Sequence, residues 1–268
     1  GAVKISSRVR AEDVVSVRAV IMLSTGSLGN CSSVAFIGCS LENIMSASLV
    51  FSAPGALADL QTFLQRAARV NNSSARVVAA DGHVLVYVGL LVPRGLLDRT
   101  PTVLGLRVSS LSEPVDVDEI VPMEALIHRL GVAVSEGAST VSLPPAVPSL
   151  AWAAITPPRD NWRRRRGVSS SDLAGAAKKG IQRVAEAIPD NSGDALVQKV
   201  RAEVWGEIIP FSKRIPAGAA FAADALGFLD DRSVQVHTNE PWLRLSAANG
   251  YVLVKFPTGH DFGPDTEG

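Results

Sequence analysis

Four consecutive arginines, Arg163-Arg164-Arg165-Arg166, form the densest charge in this chain, with Trp162 just before them and Arg159 as a fifth cation. Guanidinium groups make bidentate contacts with phosphate, and an adjacent indole can stack on a base. Arg159, Trp162, Arg163, Arg164, Arg165 and Arg166 are therefore the candidate anion- or nucleic-acid-binding residues. Three helices and a β-hairpin are expected downstream, the element order of a winged helix-turn-helix. The third helix should carry the base-reading side chains. It reads Ala217-Gly218-Ala219-Ala220-Phe221-Ala222-Ala223-Asp224-Ala225-Leu226 and offers no Arg, Lys, Asn or Gln to a base edge. The simpler reading of the arginine run, a solvated linker face or a set of partners for acidic neighbours, takes precedence.

Other chemistry finds thinner support. Glu113, Asp116, Asp118 and Glu119 are an acidic cluster in which Asp116 and Asp118 would share one face of an extended segment. A hard cation needs more converging oxygens than one strand offers, and the intervening Val115 and Val117 suit an edge strand with one wet face. The loop Ser24-Thr25-Gly26-Ser27-Leu28-Gly29-Asn30 has no P-loop lysine, and no G-x-G-x-x-G occurs. No G-x-S-x-G marks a nucleophile, so His83 and His128 are general-base candidates without a partner. Cys31 and Cys39, with seven residues between them, lack the spacing of a zinc site, and His83, His128, His237 and His260 are far apart. The cysteines are expected to be reduced thiols, and neither a metal nor a cofactor is expected.

Composition narrows the setting. The 268 residues hold 26 basic and 26 acidic side chains, so no global field draws the chain to nucleic acid or an anionic membrane. Apolar residues make up 47% and aromatics only 5%, so the core must be built of Ala, Val, Leu and Ile. No stretch approaches the ~20 apolar residues of a membrane span, and the N-terminus lacks a charged-then-apolar signal pattern. A cytoplasmic protein is expected. Arg outnumbers Lys 20 to 6, which together with abundant Ala and Val has the look of a high-GC genome.

The elements that must position these residues read as α+β. Residues 12–24 carry a helical stripe that also fits a strand, and short apolar runs follow at 34–38 and 47–51. A helix beginning at Ser52, with Pro54 in its first turn, presents Leu57, Leu60, Leu64 and Ala67 on one stripe. Ala75–Ala80 and His83–Leu90 flank Asp81-Gly82, the dipeptide of a type I′ hairpin. Thr102–Ser109 is a further strand, Pro122 opens a short helix to Leu130, and Ser139–Leu143 is a strand. After the prolines of 144–161, Ser169–Ser171 caps a helix with Leu173, Ala177, Ile181, Val184 and Ile188 facing inward. A second helix spans 193–208, a third 216–229, and strands follow at 233–237, 241–246 and 251–256 with a turn at Asn249-Gly250. The expected organisation is an N-terminal α+β half over 1–143, a Pro-rich linker over 144–161, a helical plus β-meander half over 162–256, and a frayed tail over 257–268. Each half packs helices on an antiparallel, hairpin-containing sheet. The segment Ala79–Val86 resembles Ala247–Val254, and Ala58-Asp59…Phe63-Leu64 resembles Ala223-Asp224…Phe228-Leu229; a diverged internal duplication would produce both matches, and so would turn chemistry combined with the Ala, Val and Leu bias.

The stretch Ala151-Trp152-Ala153…Pro157-Pro158-Arg159…Trp162-Arg163-Arg164, with Pro216–Ala222, Leu226–Leu229 and Trp242-Leu243-Arg244-Leu245, resembles uncharacterised conserved proteins of actinobacteria. The resemblance covers the second half of the chain. It implies a bacterial cytoplasmic origin and carries no activity or site residues with it. The leading function class is a non-catalytic binding or scaffolding protein, with a protein partner or a second copy of the chain. Nucleic-acid or phosphate binding through Arg159 and Arg163–Arg166 ranks second, and an enzyme third.

Overall fold

The computed structural model describes residues 47–257, apart from 94–97, 99, 149–150, 190–191 and 213, together with residue 259. The readings made for 12–24, the loop 24–30, the run 34–38, Cys31, Cys39, His260 and nearly all of the tail lie outside the described residues.

The first half runs β1 (Ser48–Val50), α1 (Ala56–Val70), β2 (Ser74–Ala80), β3 (His83–Leu91), β4 (Thr102–Ser110), β5 (Val117–Pro122), α2 (Met123–Ser135) and β6 (Thr140–Ser142). The second runs β7 (Arg163–Ser169), α3 (Ser170–Ala187), α4 (Asp194–Gly206), α5 (Ala217–Ala225), β8 (Ser233–Asn239), β9 (Trp242–Ala247) and β10 (Gly250–Lys255). α1 buries Leu57, Leu60, Phe63, Leu64 and Ala67, the stripe that spacings of three and four residues place on one face. It begins later than Ser52 and Pro54 suggest: its N-cap is Gly55 at φ 82°. Ser169 caps α3 as expected, its Oγ accepting from the Asp172 N–H at 3.1 Å. The buried stripe of α3 differs from the expected one. Leu173, Ala177 and Gly180 face inward while Ile181 is 45% exposed. The cause is Trp205 of α4, whose ring lies so close that a Cβ on Gly180 would sit 2.3 Å from it. Only the glycine edge of α3 admits that indole.

The two hairpin tips also differ. Asp81 and Gly82 both take left-handed φ, 52° and 73°, as a type I′ turn requires. At the second tip Ala247 pairs with Gly250, so the loop residues are Ala248 and Asn249, one position earlier than expected, and neither has positive φ. Gly250 serves a close approach instead, because a Cβ there would lie 2.4 Å from the Phe228 ring.

β1 and β6 form a small two-stranded sheet, and the other strands make one antiparallel eight-stranded sheet in the order β5-β2-β3-β4-β10-β9-β8-β7. The sheets of the two halves therefore run together at the β4–β10 seam, where Leu104 pairs with Leu253. Outward from the seam, β4, β3 and β2 are mirrored by β10, β9 and β8. This α+β arrangement is compatible with duplication. The mirror sets β2–β3 against β8–β9, however, whereas the matched segments Ala79–Val86 and Ala247–Val254 fall on β2–β3 and β9–β10, one strand out of step.

Helices cover one face of the sheet, where Val86, Val103, Leu245 and Val254 meet α1 and α5 in the main core. Among the described residues, the other face carries a smaller cluster with no helical residue in it: Leu104, Leu106, Trp242 and Leu253, together with Trp152 and Ala153 from the Pro-rich segment. That segment packs closely. Trp152 is 5% exposed and lies against Gly89, Arg76 Nη1 donates to the Ala153 carbonyl at 2.8 Å, and the Val147 N–H donates to the Ile120 carbonyl at 2.7 Å.

Candidate functional site: a cationic, aromatic sheet face

The arginine run is an edge strand, and its period of two divides it. Arg164 lies opposite His237, and Arg163 and Arg165 lie opposite Thr238 and Val236. Directly opposed residues share a face, so Arg164 belongs to the helix-free face while Arg163 and Arg165 point to the other. Arg164 donates from Nε and Nη2 to Gln235 Oε1 at 3.0 and 2.7 Å, and Arg165 Nε donates to Thr238 Oγ1 at 2.9 Å. Asn161, Trp162, Arg163, Arg165, Thr238, Asn239 and Glu240 line a cleft of about 680 Å³. Arg166 is exposed, beside a register shift between Arg165 and Val168. Trp162 is turned back onto the Pro-rich segment, donating from Nε1 to the Pro158 carbonyl at 3.0 Å. Arg159 is exposed, and its charge reaches Tyr87, whose hydroxyl burial nevertheless holds above its ordinary pKa.

Sequence reasoning missed the residue at the centre of this face. Arg244 of β9 stands opposite His237 on one side and Leu253 on the other. Arg164, His237 and Arg244 thus form one cross-strand row over three strands. The guanidinium carbon of Arg244 lies 4.6 Å from the Trp162 ring centroid and 5.8 Å from that of Tyr251. Its Nε is buried and has no acceptor among the described residues. Burial lowers its pKa, offset in part by Tyr251. Ser246 Oγ is 3.4 Å from His237 Nδ1. Burial, then the charges of Arg244 and Arg164, hold His237 below the ordinary histidine value of 6.5. The alternation of Trp242-Leu243-Arg244-Leu245-Ser246 was enough to send Arg244 to the face opposite the two leucines. That Trp162 would cover it was not readable, because the two are brought together only by the pairing of β7, β8 and β9.

Carboxylates pair with other arginines. Among the described residues, ion pairs join Arg76 to Asp118, Arg107 to Asp59, Arg183 to Glu207, Arg214 to Glu240 and Arg232 to Asp230. Arg164 instead has the neutral Gln235 amide, and Arg244 has two rings.

The remaining candidates stay apart from this row. Asp118 on the edge strand β5 accepts from Arg76 through both oxygens at 2.7 Å, which holds its carboxyl below the ordinary aspartate value. Val117 beside it is buried and faces the core. No group of three or more His, Cys, Asp or Glu among the described residues could hold a metal ion. His83 Nδ1 lies 2.9 Å from the Asp81 carbonyl at the hairpin tip, and His128 is exposed on α2. The nearest thing to a nucleophile and base is Ser246 with His237. Among the described residues no carboxylate orients that imidazole, and two guanidinium groups weaken it as a base.

Residues 45–154 match the model of one domain of unknown function (DUF8010), and residues 157–259 that of another (DUF8185). No curated protein matches the chain in sequence. Among solved structures, the DNA polymerase sliding clamp of Caulobacter crescentus is similar at 12% identity and a TM-score of 0.46, over 82% of this chain and 67% of that one. The DNA polymerase III subunit beta of Pseudomonas aeruginosa is similar at 14% identity and a TM-score of 0.46, over 82% of this chain and 66% of that one. The chain thus spans about two thirds of the length of these proteins. The values describe a loose likeness of backbone path. No helix among the described residues is long and apolar enough to cross a membrane.

Proposed function

We propose that the protein is a non-catalytic binding protein of the bacterial cytoplasm and that the helix-free face of its sheet, from Trp162 across Arg244 to Tyr251, receives an acidic segment of a protein partner. The observation that carries this reading is Arg244: a half-buried cation against two rings, with a buried N–H and, among the described residues, no carboxylate partner. Taking a charge out of water is costly unless it is paired. Two cation–π contacts offset part of that cost, on the order of 0.5–2 kcal/mol each. An incoming anion supplies the rest. Arg164, on the same face, and the exposed Arg159, three residues before Trp162, add positive charge that steers such a partner. Single-stranded nucleic acid is the second reading, since Trp162 and Tyr251 are potential stacking platforms. It ranks lower because each ring already turns one face to Arg244.

The test is fluorescence anisotropy with a labelled twelve-residue peptide of alternating Glu and Phe, and with a labelled (dT)12, each over a range of salt. The expected result is peptide binding that weakens with salt and falls about tenfold in Arg244→Met. Binding of (dT)12 alone would hand the site to nucleic acid. Binding of neither, or peptide binding indifferent to Arg244→Met, would overturn the proposal.

A further inference from the structure

We infer that the row Arg164–His237–Arg244 is a discrete site for a tetrahedral oxyanion, a phosphate or sulfate group, and that filling it loads a proton onto His237. The inference rests on the face proposed above and gives it a chemical centre.

The geometry comes from register. Arg164, His237 and Arg244 are directly opposed on β7, β8 and β9, so all three project from the helix-free face. Two strand spacings separate the arginine backbones, about 9.5 Å, and both side chains are long enough to close over the imidazole between them. Donors remain for a ligand. A guanidinium has five N–H groups. Arg164 spends its two contacts on Gln235, and the terminal nitrogens of Arg244 lie beyond its buried Nε. Ser246 adds a hydroxyl beside His237. Donors that approach from three strands suit an anion with oxygens in several directions.

The same geometry sets the linkage. The groups facing His237 are Arg164 from β7, Arg244 and Ser246 from β9, and Gln235 and Asn239 on its own strand, with Tyr251 and Trp162 beyond Arg244. The charges that act on His237, those of Arg244 and Arg164, are both positive. Protonating His237 in the empty site would put three cations in a row, and like charges directly opposite one another are unfavourable. An anion above the row reverses the sign of that interaction, so His237 becomes a third charged donor. Binding therefore takes up a proton and is tighter at low pH.

The experiment follows the His237 imidazole by NMR in the intact protein, from pH 5 to 8.5, in sodium sulfate and in sodium chloride at matched ionic strength. Sulfate keeps one charge state over this range, so any coupling belongs to the protein. The expected result is a titration midpoint about one pH unit higher in sulfate, the displacement typical of a new opposite charge nearby. By linkage, sulfate binds up to about tenfold more tightly at pH 5.5 than at pH 8. The displacement should vanish in Arg244→Met, which keeps a flexible apolar chain between the rings, and shrink in the exposed Arg164→Gln. Equal midpoints in the two salts overturn the inference, as does a sulfate displacement unchanged in both variants. A second arm compares inorganic phosphate with a phosphoserine peptide. Tighter binding of the peptide assigns the anion to a modified partner side chain, and equal binding assigns it to a free ion. Sulfate brings no peptide to dock, so a His237 response without binding of the Glu/Phe peptide would sink the docking proposal and leave this site standing.

Discussion

Gly175 and Gly180 lie five residues apart on α3, and the same substitution should move stability in opposite directions at the two positions. Gly175 is exposed, and a Cβ added there meets nothing within 4 Å. Gly175→Ala should therefore show the helix-propensity gain of roughly 0.5–1 kcal/mol. Gly180 has the same propensity to gain, but its Cβ would lie 2.3, 3.0 and 3.2 Å from three atoms of the Trp205 ring. Carbon atoms approach best at about 3.5–4.0 Å, so the nearest contact falls more than an ångström short. Trp205 cannot swing aside cheaply, being 3% exposed and stacked on Phe221 with centroids 4.5 Å apart. Inserting a methyl into such packing costs about 1–3 kcal/mol, which outweighs the propensity gain. For a domain of this size 1 kcal/mol corresponds to about 2–4 °C. Thermal unfolding followed by circular dichroism should show Gly175→Ala melting about 2 °C above the parent and Gly180→Ala about 2–6 °C below it. If Gly180→Ala melted at or above the parent temperature, the Trp205 ring would not be what sets the inward face of α3.

Trp152→Ala removes a buried indole from the helix-free face and should cost about 3–4 kcal/mol by urea unfolding; a loss under about 1 kcal/mol would show that the Pro-rich segment does not pack there. His237 titrates below 6.5 in the folded protein, so the unfolded chain takes its proton first. Stability is then whole above pH 6.5 and declines as pH falls through the folded value; His237→Gln should flatten the slope in that window, measured by urea midpoints at stepped pH. Asp118, held below the ordinary 3.8 by Arg76, contributes stability that is lost only as pH falls from there through its folded value, so Asp118→Asn should alter the acid limb and leave the His237 window unchanged.

Features with local causes were legible in the residues alone. The α1 stripe follows from apolar residues at helical spacing, the Asp81-Gly82 turn from two residues tolerant of left-handed φ, and the α3 cap from a serine hydroxyl within reach of an N–H three residues on. In each the deciding interaction spans a few residues. Long-range packing decided the rest. The inward face of α3 was set by the Trp205 ring, twenty-five residues beyond Gly180, and the β9–β10 tip by the Phe228 ring lying over Gly250. The site shows the same division. Four arginines in sequence announce one patch, yet a strand of period two sends them to opposite faces, while Arg244, some eighty residues away, joins Arg164 through His237. Sequence patterning can say which face a strand residue takes. Which strands lie side by side is a matter of long-range pairing, and it was pairing that placed a half-buried guanidinium against Trp162 and Tyr251.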